Sequence, residues 1–408
     1  MDFDDTPEER ALREQARKFL DEHATRLDPN ELAGMRTHRA HTEDEDMALL
    51  EEGRAWQRVK AAGGWAAPHW PERHGGRALS PLLAGVFAAE EHHYNVSGNL
   101  FSVGVGMVGP TIIEWGTADQ HDTYLSPILS ADHIWCQLFS EPGAGSDLAG
   151  LATRAVLDGE EWVITGQKVW TTAAHYSDYG LLLARTDPDV PKHRGITAII
   201  VDMSSPGVVV RPLRQIDGAI HFNEVFLDEV RVPVSNTIGP VGSGWGVAVT
   251  MLAHERSSIG GGGMYNFDQV LSLAKAFGAE NDRVARQELA RLFTRFEILR
   301  FLGYRVRTAA EHGQAVGPES SVMKLAVSAL YETGGDLVIA LEGAAGMLTS
   351  DDAPFGGTFQ DLFMGQWAPR LGGGTDQIQR NIIGERVLGL PGEPRLDKSM
   401  PFRDMPRS

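Results

Sequence analysis

The 408-residue sequence predicts an α+β protein in which helical segments flank a strand-rich centre. Three observations lead there. Apolar residues recur at helical spacing over residues 1–130. Short apolar runs, broken by Pro and Gly, fill residues 131–240. Long amphipathic runs return over 241–408. No helix-length run separates the central strands, so a βαβ sheet is not expected.

The first helix runs from Thr6 to about Leu27. Thr6-Pro7-Glu8-Glu9 is a start signal, and Leu12, Ala16, Phe19 and Leu20 make one apolar face. After a polar segment, Asp28 to His41, a second helix spans about Asp44 to Ala62 and stops at Gly63-Gly64. Ser80-Pro81 opens a third to about Tyr94. An apolar stretch from Leu100 to Trp115 and a short helix ending near Leu129 follow. Strand-like runs then occur at Ile134–Phe139, Leu151–Leu157, Glu161–Thr165, Gly180–Ala184, Ile196–Val201, Val208–Val210 and Val225–Phe226. Helices are expected again at Trp245–Ile259, Phe267–Phe277, Arg283–Glu311, Ser320–Leu341 and Asp376–Leu388.

Composition narrows the function classes. Apolar content of 42% and charged content of 23% are those of an ordinary globular enzyme. A net charge of −18 argues against nucleic acid and gives no support for an anionic membrane surface. No run of about 18 apolar residues is present, and the acidic N-terminus lacks a signal-peptide pattern. The single cysteine, Cys136, excludes an internal disulfide, suits a reducing cytoplasm and reads as a buried inert thiol. None of the fourteen histidines has metal-site spacing, so no metal is expected. Gly104 to Gly109 matches G-x-G-x-x-G, but no strand precedes it; close helix packing explains those glycines better than a dinucleotide. Gly260 to Gly263 is likewise read as helix rather than phosphate cradle.

The most informative stretch is Gln137 to Thr172. A strand ends in Glu141-Pro142-Gly143-Ala144-Gly145-Ser146-Asp147, where glycines let backbone N–H groups approach a ligand. Asp158-Gly159 marks a hairpin, and Trp170-Thr171-Thr172 offers a flat indole beside two hydroxyls. Spacing alone leaves two readings open, a planar-ligand site and an ordinary hairpin with a core Trp.

Three motifs in order, LFSEPGAGSD (Leu138–Asp147), GQKVWTT (Gly166–Thr172) and GTDQIQR (Gly374–Arg380), resemble those of the acyl-CoA dehydrogenase family. The resemblance covers nearly the whole chain. It implies an N-terminal helical domain over 1–130, a middle β-barrel domain over 131–240, and a C-terminal helical bundle domain over 241–408. It implies FAD as cofactor and oxidation of an acyl-CoA thioester to the 2,3-enoyl-CoA. A carboxylate takes the α-proton and flavin N5 takes the hydride. It further implies fatty acid or sterol catabolism, an electron-transferring flavoprotein or another electron acceptor as partner, and a homo-oligomer, dimer or tetramer, with a hetero-oligomer left open.

The resemblance also distributes roles. In much of the family the base is a Glu immediately before the Gly-Thr of the third motif, where this chain has Gly373; its backbone N–H remains to serve the thioester oxygen. Other branches carry the base in a Glu-Arg pair on a different helix, and Glu255-Arg256 supplies it here. Glu255 lies four residues after Met251 and three after Leu252, near an apolar helix face where an acid is costly unless paired or functional. Arg256 is implied to be structural or to orient the C-terminal loop on the substrate side. Phe139 and Ser140 are assigned to the flavin's pyrimidine edge, Trp170 to its ring face and Thr172 to N5. Thr375 and Gln377 help hold the cofactor, Arg283 (or Arg286, one turn on) grips the pyrophosphate from a neighbouring subunit, and Ser146 lies on the CoA side. Two alternatives remain: a flavin-dependent monooxygenase or oxidase on the same fold, which would need no thioester base, and the catalytic chain of a hetero-oligomer. The acyl group, and CoA against acyl carrier protein, are not legible.

Overall fold

The computed structural model describes residues 5–27, 42–97, 100–259, 265–312, 320–349, 352–392 and 399–405. Helices come first: α1 (Pro7–His23), α2 (Glu43–Ala62), α3 (Pro81–Glu91), α4 (Gly109–Trp115) and α5 (Ala118–Leu129). Their starts follow from side chains that fill orphan N–H groups. Thr6, Thr42 and Thr117 each form a reciprocal capping box with Glu9, Glu45 and Gln120, and Ser80 accepts from the Leu83 N–H.

The glycine run at 103–108 is a turn of wide, π-type helix leading into α4. A Cβ on Gly109 would come within 2.1 Å of the Trp70 ring, and the Trp70 indole N–H donates to the Val105 carbonyl at 3.1 Å. Close packing of an indole on the backbone is what Gly109 serves. The other glycine run, 260–263, lies outside the described residues.

The centre is β1 (Trp135–Leu138), β2 (Arg154–Asp158), β3 (Glu161–Thr172), β4 (Tyr179–Arg185), β5 (Ile196–Asp202), β6 (Val208–Leu213), β7 (Phe222–Pro233) and β8 (Thr237–Ile238). They pair in the order β6-β7-β3-β2-β4-β5-β8, with β1 added parallel to β4. Where the sequence reading expects a β-barrel over 131–240, the strands make a curled but open sheet. Its ends, β6 and β8, do not pair, and β8 at two residues is too short to close a ladder. The curl still wraps one apolar core, containing Leu182, Ala184, Ile199, Val201, Val225 and Leu227. Cys136 is buried there, and desolvation pushes its thiol up to about 12. The alternate residues of β4 and β5, Leu181, Leu183, Ile196, Ala198 and Ile200, point the other way into a second core shared with helices. Burial on both faces is why these strands read as continuous apolar runs.

The chain then turns helical: α6 (Gly244–Ile259), α7 (Phe267–Ala276), α8 (Arg283–Glu311), α9 (Ser320–Glu342), α10 (Thr358–Gly365), α11 (Ala368–Leu371) and α12 (Asp376–Ile382). Val247, Ala248 and Met251 of α6 join the core behind β4 and β5. The later helices have a core of their own, with Leu273, Leu292, Val338 and Phe359. The expected last helix, Asp376–Leu388, is interrupted: α12 ends at Ile382 and the chain widens into a π-type turn over Ile383–Val387. Among the described residues no helix is long and apolar enough to cross a membrane.

Candidate active site

The ends of β1 and β3 meet. The Val169 N–H donates to the Ser140 carbonyl at 3.0 Å, which sets Phe139 and Ser140 beside Trp170. Between Lys168 and Thr171 the pairing with β7 slips, because β3 carries one extra residue there. This bulge turns Trp170 out of the sheet. Its φ is +60°, left-handed for a bulky residue, and it is 62% exposed. A core Trp is therefore excluded. The indole meets Phe222 edge-on at 5.9 Å and leaves a face open, with the Thr172 side chain exposed two residues along. A backbone conformation of this kind costs on the order of 1–3 kcal/mol and persists where the surroundings over-determine it.

The surroundings do so through buried charges that sequence reasoning missed. Lys168, fully buried, donates to the Phe139 carbonyl at 3.0 Å and to Glu141 Oε1 at 2.8 Å. Glu141 also accepts from the Ala152 and Thr153 N–H groups at 2.7 and 2.9 Å. Desolvation pulls Lys168 down to about 8 even with Glu141 opposing it. For Glu141, desolvation pushes upward, but Lys168 and the amides outweigh it and hold the carboxyl below its usual range. Lys192 grips Asp147 at 2.9 Å, and buried Arg185 donates to the Ala149 carbonyl at 2.6 Å and the Leu151 carbonyl at 3.2 Å. The loop from 141 to 151 is thus collared by three cations. Gly143, Gly145 and Ser146 face outward, and an added Cβ at either glycine would meet no atom within 4 Å.

Glu255 lies one helical turn beyond Met251, which is fully buried in the core that also holds Phe139. Glu255 is half-buried. Thr250 on the same helix accepts from the Trp115 indole at 3.0 Å and donates to Glu114 at 3.1 Å, tying α6 to α4. Burial holds the neighbouring His254 below the usual imidazole range, against the pull of Glu114; His69, near it, is lowered by burial and by His254. The Arg256 side chain lies outside the described residues.

Gly373 has φ +63° and Gly374 has φ +83°. Gln379 Nε2 donates to the Gly373 carbonyl at 2.9 Å and the Gly374 carbonyl at 3.4 Å, folding the loop back on its own helix. Thr375 caps α12 by accepting from the Ile378 N–H at 3.2 Å. Gln377, Arg283 and Arg286 are exposed, on a helical layer with a core separate from the strand end. A surface groove of about 600 Å³ between α1 and residues 72–83 shares no residue with this region.

Profiles of three acyl-CoA dehydrogenase domains match the chain in order: the N-terminal domain over 6–132, the middle domain over 136–230 and the C-terminal domain over 242–388. The chain belongs to the acyl-CoA dehydrogenase family. It is an FAD-dependent oxidoreductase, as the sequence resemblance implied. It is 39% identical to the acyl-CoA dehydrogenase IpdE1 of Mycobacterium tuberculosis, over 85% of this chain and 90% of that protein. Among solved structures, the Tcur3481-Tcur3483 steroid acyl-CoA dehydrogenase superposes with a TM-score of 0.80 at 28% identity, over 96% of this chain and 100% of that one. The ChsE4-ChsE5 complex of Mycobacterium tuberculosis follows at 0.78 and 27%, with the same coverage.

Proposed function

We propose that this acyl-CoA dehydrogenase converts an acyl-CoA thioester to its 2,3-enoyl-CoA with Glu255 as the α-proton base. The observation that carries this reading is the half-buried Glu255 one turn past buried Met251, together with a left-handed glycine at 373, where no side chain can act. The strand end fits FAD: an outward indole on a forced bulge, an exposed Thr172 and a collared loop offer a flat apolar face with a polar rim. Trp170 would lie along the ring system, Phe139 and Ser140 at its polar edge, and Thr172 at its centre. Thr375, Gln377 and Arg283, on the separate helical layer, would reach a cofactor held mainly by another subunit.

FAD, when bound, supplies the acceptor for the hydride leaving the β-carbon. Glu255 removes the α-proton as that hydride departs, so the substrate loses two electrons and two hydrogens and gains a carbon–carbon double bond. The Gly373 backbone N–H donates to the thioester oxygen and lowers the cost of charge gathering there. Ser146 faces the CoA side, and Arg256 orients the C-terminal loop.

The finer reading of the substrate is a bulky, steroid-derived acyl group, processed by this chain with a partner chain. It is supported by the similarity to the Tcur3481-Tcur3483 steroid enzyme and the ChsE4-ChsE5 complex. Glu255→Gln keeps size and hydrogen bonding but removes basicity. Anaerobic flavin reduction by a good thioester should fall roughly 10²–10⁴-fold at unchanged FAD content. Reduction at the wild-type rate would move the base elsewhere. Steroid side-chain thioesters should bleach the flavin faster than straight-chain ones; the reverse order would overturn the substrate class.

A further inference from the structure

Behind the strand end runs a polar chain that no role above uses. His175, in the turn Ala174–Tyr176 after β3, places Nε2 2.5 Å from Asp46 Oδ2 and Nδ1 3.1 Å from Asn223 Nδ2. The Asn223 amide nitrogen also lies 3.0 Å from the Thr171 carbonyl and 3.3 Å from the His221 carbonyl. The carbonyls fix the orientation of that amide, whose two N–H groups serve the Thr171 carbonyl and His175 Nδ1, with the longer His221 contact sharing one of them. His175 Nδ1 therefore accepts, and the imidazole N–H on Nε2 donates to Asp46. Asn223 and Asp46 are both buried.

The location gives this chain its meaning. Thr171, whose carbonyl is held, lies between Trp170 and Thr172. Trp170 and Ala173, on either side of the Thr171-Thr172 pair, have φ of +60° and +62°. The Ala173 N–H is tied to the His221 carbonyl at 2.9 Å, and Gln215 steadies the His221 ring at 2.9 Å. Two left-handed non-glycine residues three positions apart need bonds that leave the backbone no alternative. Asp46, which anchors the far end, stands in the first turn of α2, 129 residues away in sequence.

We propose that His175 is a positioning residue for the cofactor-facing end of β3, clamped between Asp46 of α2 and Asn223 of β7. Through it the first turn of α2 and the Trp170 bulge move as one body, and FAD affinity depends on a helix that does not touch FAD. The inference rests on the reading that Trp170 and Thr172 face the flavin.

Two substitutions divide the clamp. His175→Asn keeps an acceptor near the Nδ1 position and loses Asp46; His175→Gln keeps a donor near the Nε2 position and loses Asn223. Asp46→Ala cuts the same link as His175→Asn from the other side, with a good helix former in place. The experiment measures the FAD dissociation constant and the visible spectrum of bound flavin, with the Tm of the apoprotein alongside. Each single variant should weaken FAD about tenfold and shift the spectrum. Asp46→Ala combined with His175→Asn should be no worse than either alone. Asp46→Ala binding FAD within twofold of wild type with an unchanged spectrum overturns the proposal, whatever its Tm. Thr172→Val separates the two levels. If it leaves affinity and spectrum unchanged, the reading of the strand end fails and the clamp inference falls with it. If it changes them and Asp46→Ala does not, only the clamp fails.

Discussion

Two motif loops are each held by a buried acid–lysine pair, and the pairs are not equivalent. Glu141, in the loop after β1, meets Lys168 at 2.8 Å; Asp376, opening α12, meets Lys324 at 2.9 Å. Glu141 is bonded to one cation and two backbone amides. Asp376 has Lys324, the Ser328 hydroxyl at 2.8 Å and Arg370 at 3.6 Å. For Asp376, desolvation pushes upward, but Lys324 and Ser328 outweigh it and hold the carboxyl below its usual range. A third buried acid, Glu342 at the end of α9, has an amide where the others have a lysine. Gln360 donates to its Oε2 at 2.6 Å, and Oε1 has no hydrogen-bond partner among the described residues. Desolvation pushes Glu342 up to about 7, with Gln360 opposing. A buried carboxyl thus acts as a fixed anion in two places and as a titrating group in the third, according to what burial leaves beside it.

The largest expected effect breaks the Glu141 pair. Lys168→Met strands a buried carboxylate whose other cation, Arg185, is bonded to the Ala149 and Leu151 carbonyls instead, and should destabilise the apoprotein by about 3–5 kcal/mol in urea unfolding. Adding Glu141→Gln, which still accepts from the two amides, should recover more than half of that loss. An unrecovered double variant would show that the lysine acts by packing rather than by charge.

Glu342 sharpens the contrast through pH. In the folded protein it keeps its proton to about 7, whereas the unfolded carboxyl releases it near 4.5. The folded state binds more protons between those values, so this group's contribution to stability is full below about 4.5 and lost as pH rises to about 7. The loss is on the order of 3 kcal/mol, and Glu342→Gln should remove that part of the slope in a pH series of unfolding curves.

The smallest effect belongs to Lys324→Met. Asp376 keeps Ser328 and Arg370, so the cost should be about 1 kcal/mol, near that of one hydrogen bond. A loss as large as that of Lys168→Met would mean that Arg370 carries none of the charge and would erase the distinction between the two loops.

Much of the site was legible because its signals are local. The Pro and Gly of residues 141–147 marked a turn, while spacing left Trp170 open between a ligand face and the core, and the structure exposes it. That the strands stop short of the expected barrel was not legible. Whether curled strands close depends on pairing between β6 and β8, which no local pattern encodes. Nor was α10, which lies in a stretch, residues 342–371, that the sequence reading leaves unassigned.

The order of helices and strands, the motif loops and the presence of an acid at position 255 with none at 373 follow from the sequence alone. These depend on periodicity, turn chemistry and residue identity, which act over a few residues. Only the tertiary structure decided that Lys168, Arg185 and Lys192 turn inward to collar a loop, and that Asp46 meets His175. Lysine and arginine are ordinarily solvated, so nothing in their immediate neighbours announces burial. Their partners lie 27 to 45 residues away, and 129 for His175 with Asp46. Such pairings exist only once the sheet has curled and α2 has docked against it, and that is the level at which the Trp170 bulge is held.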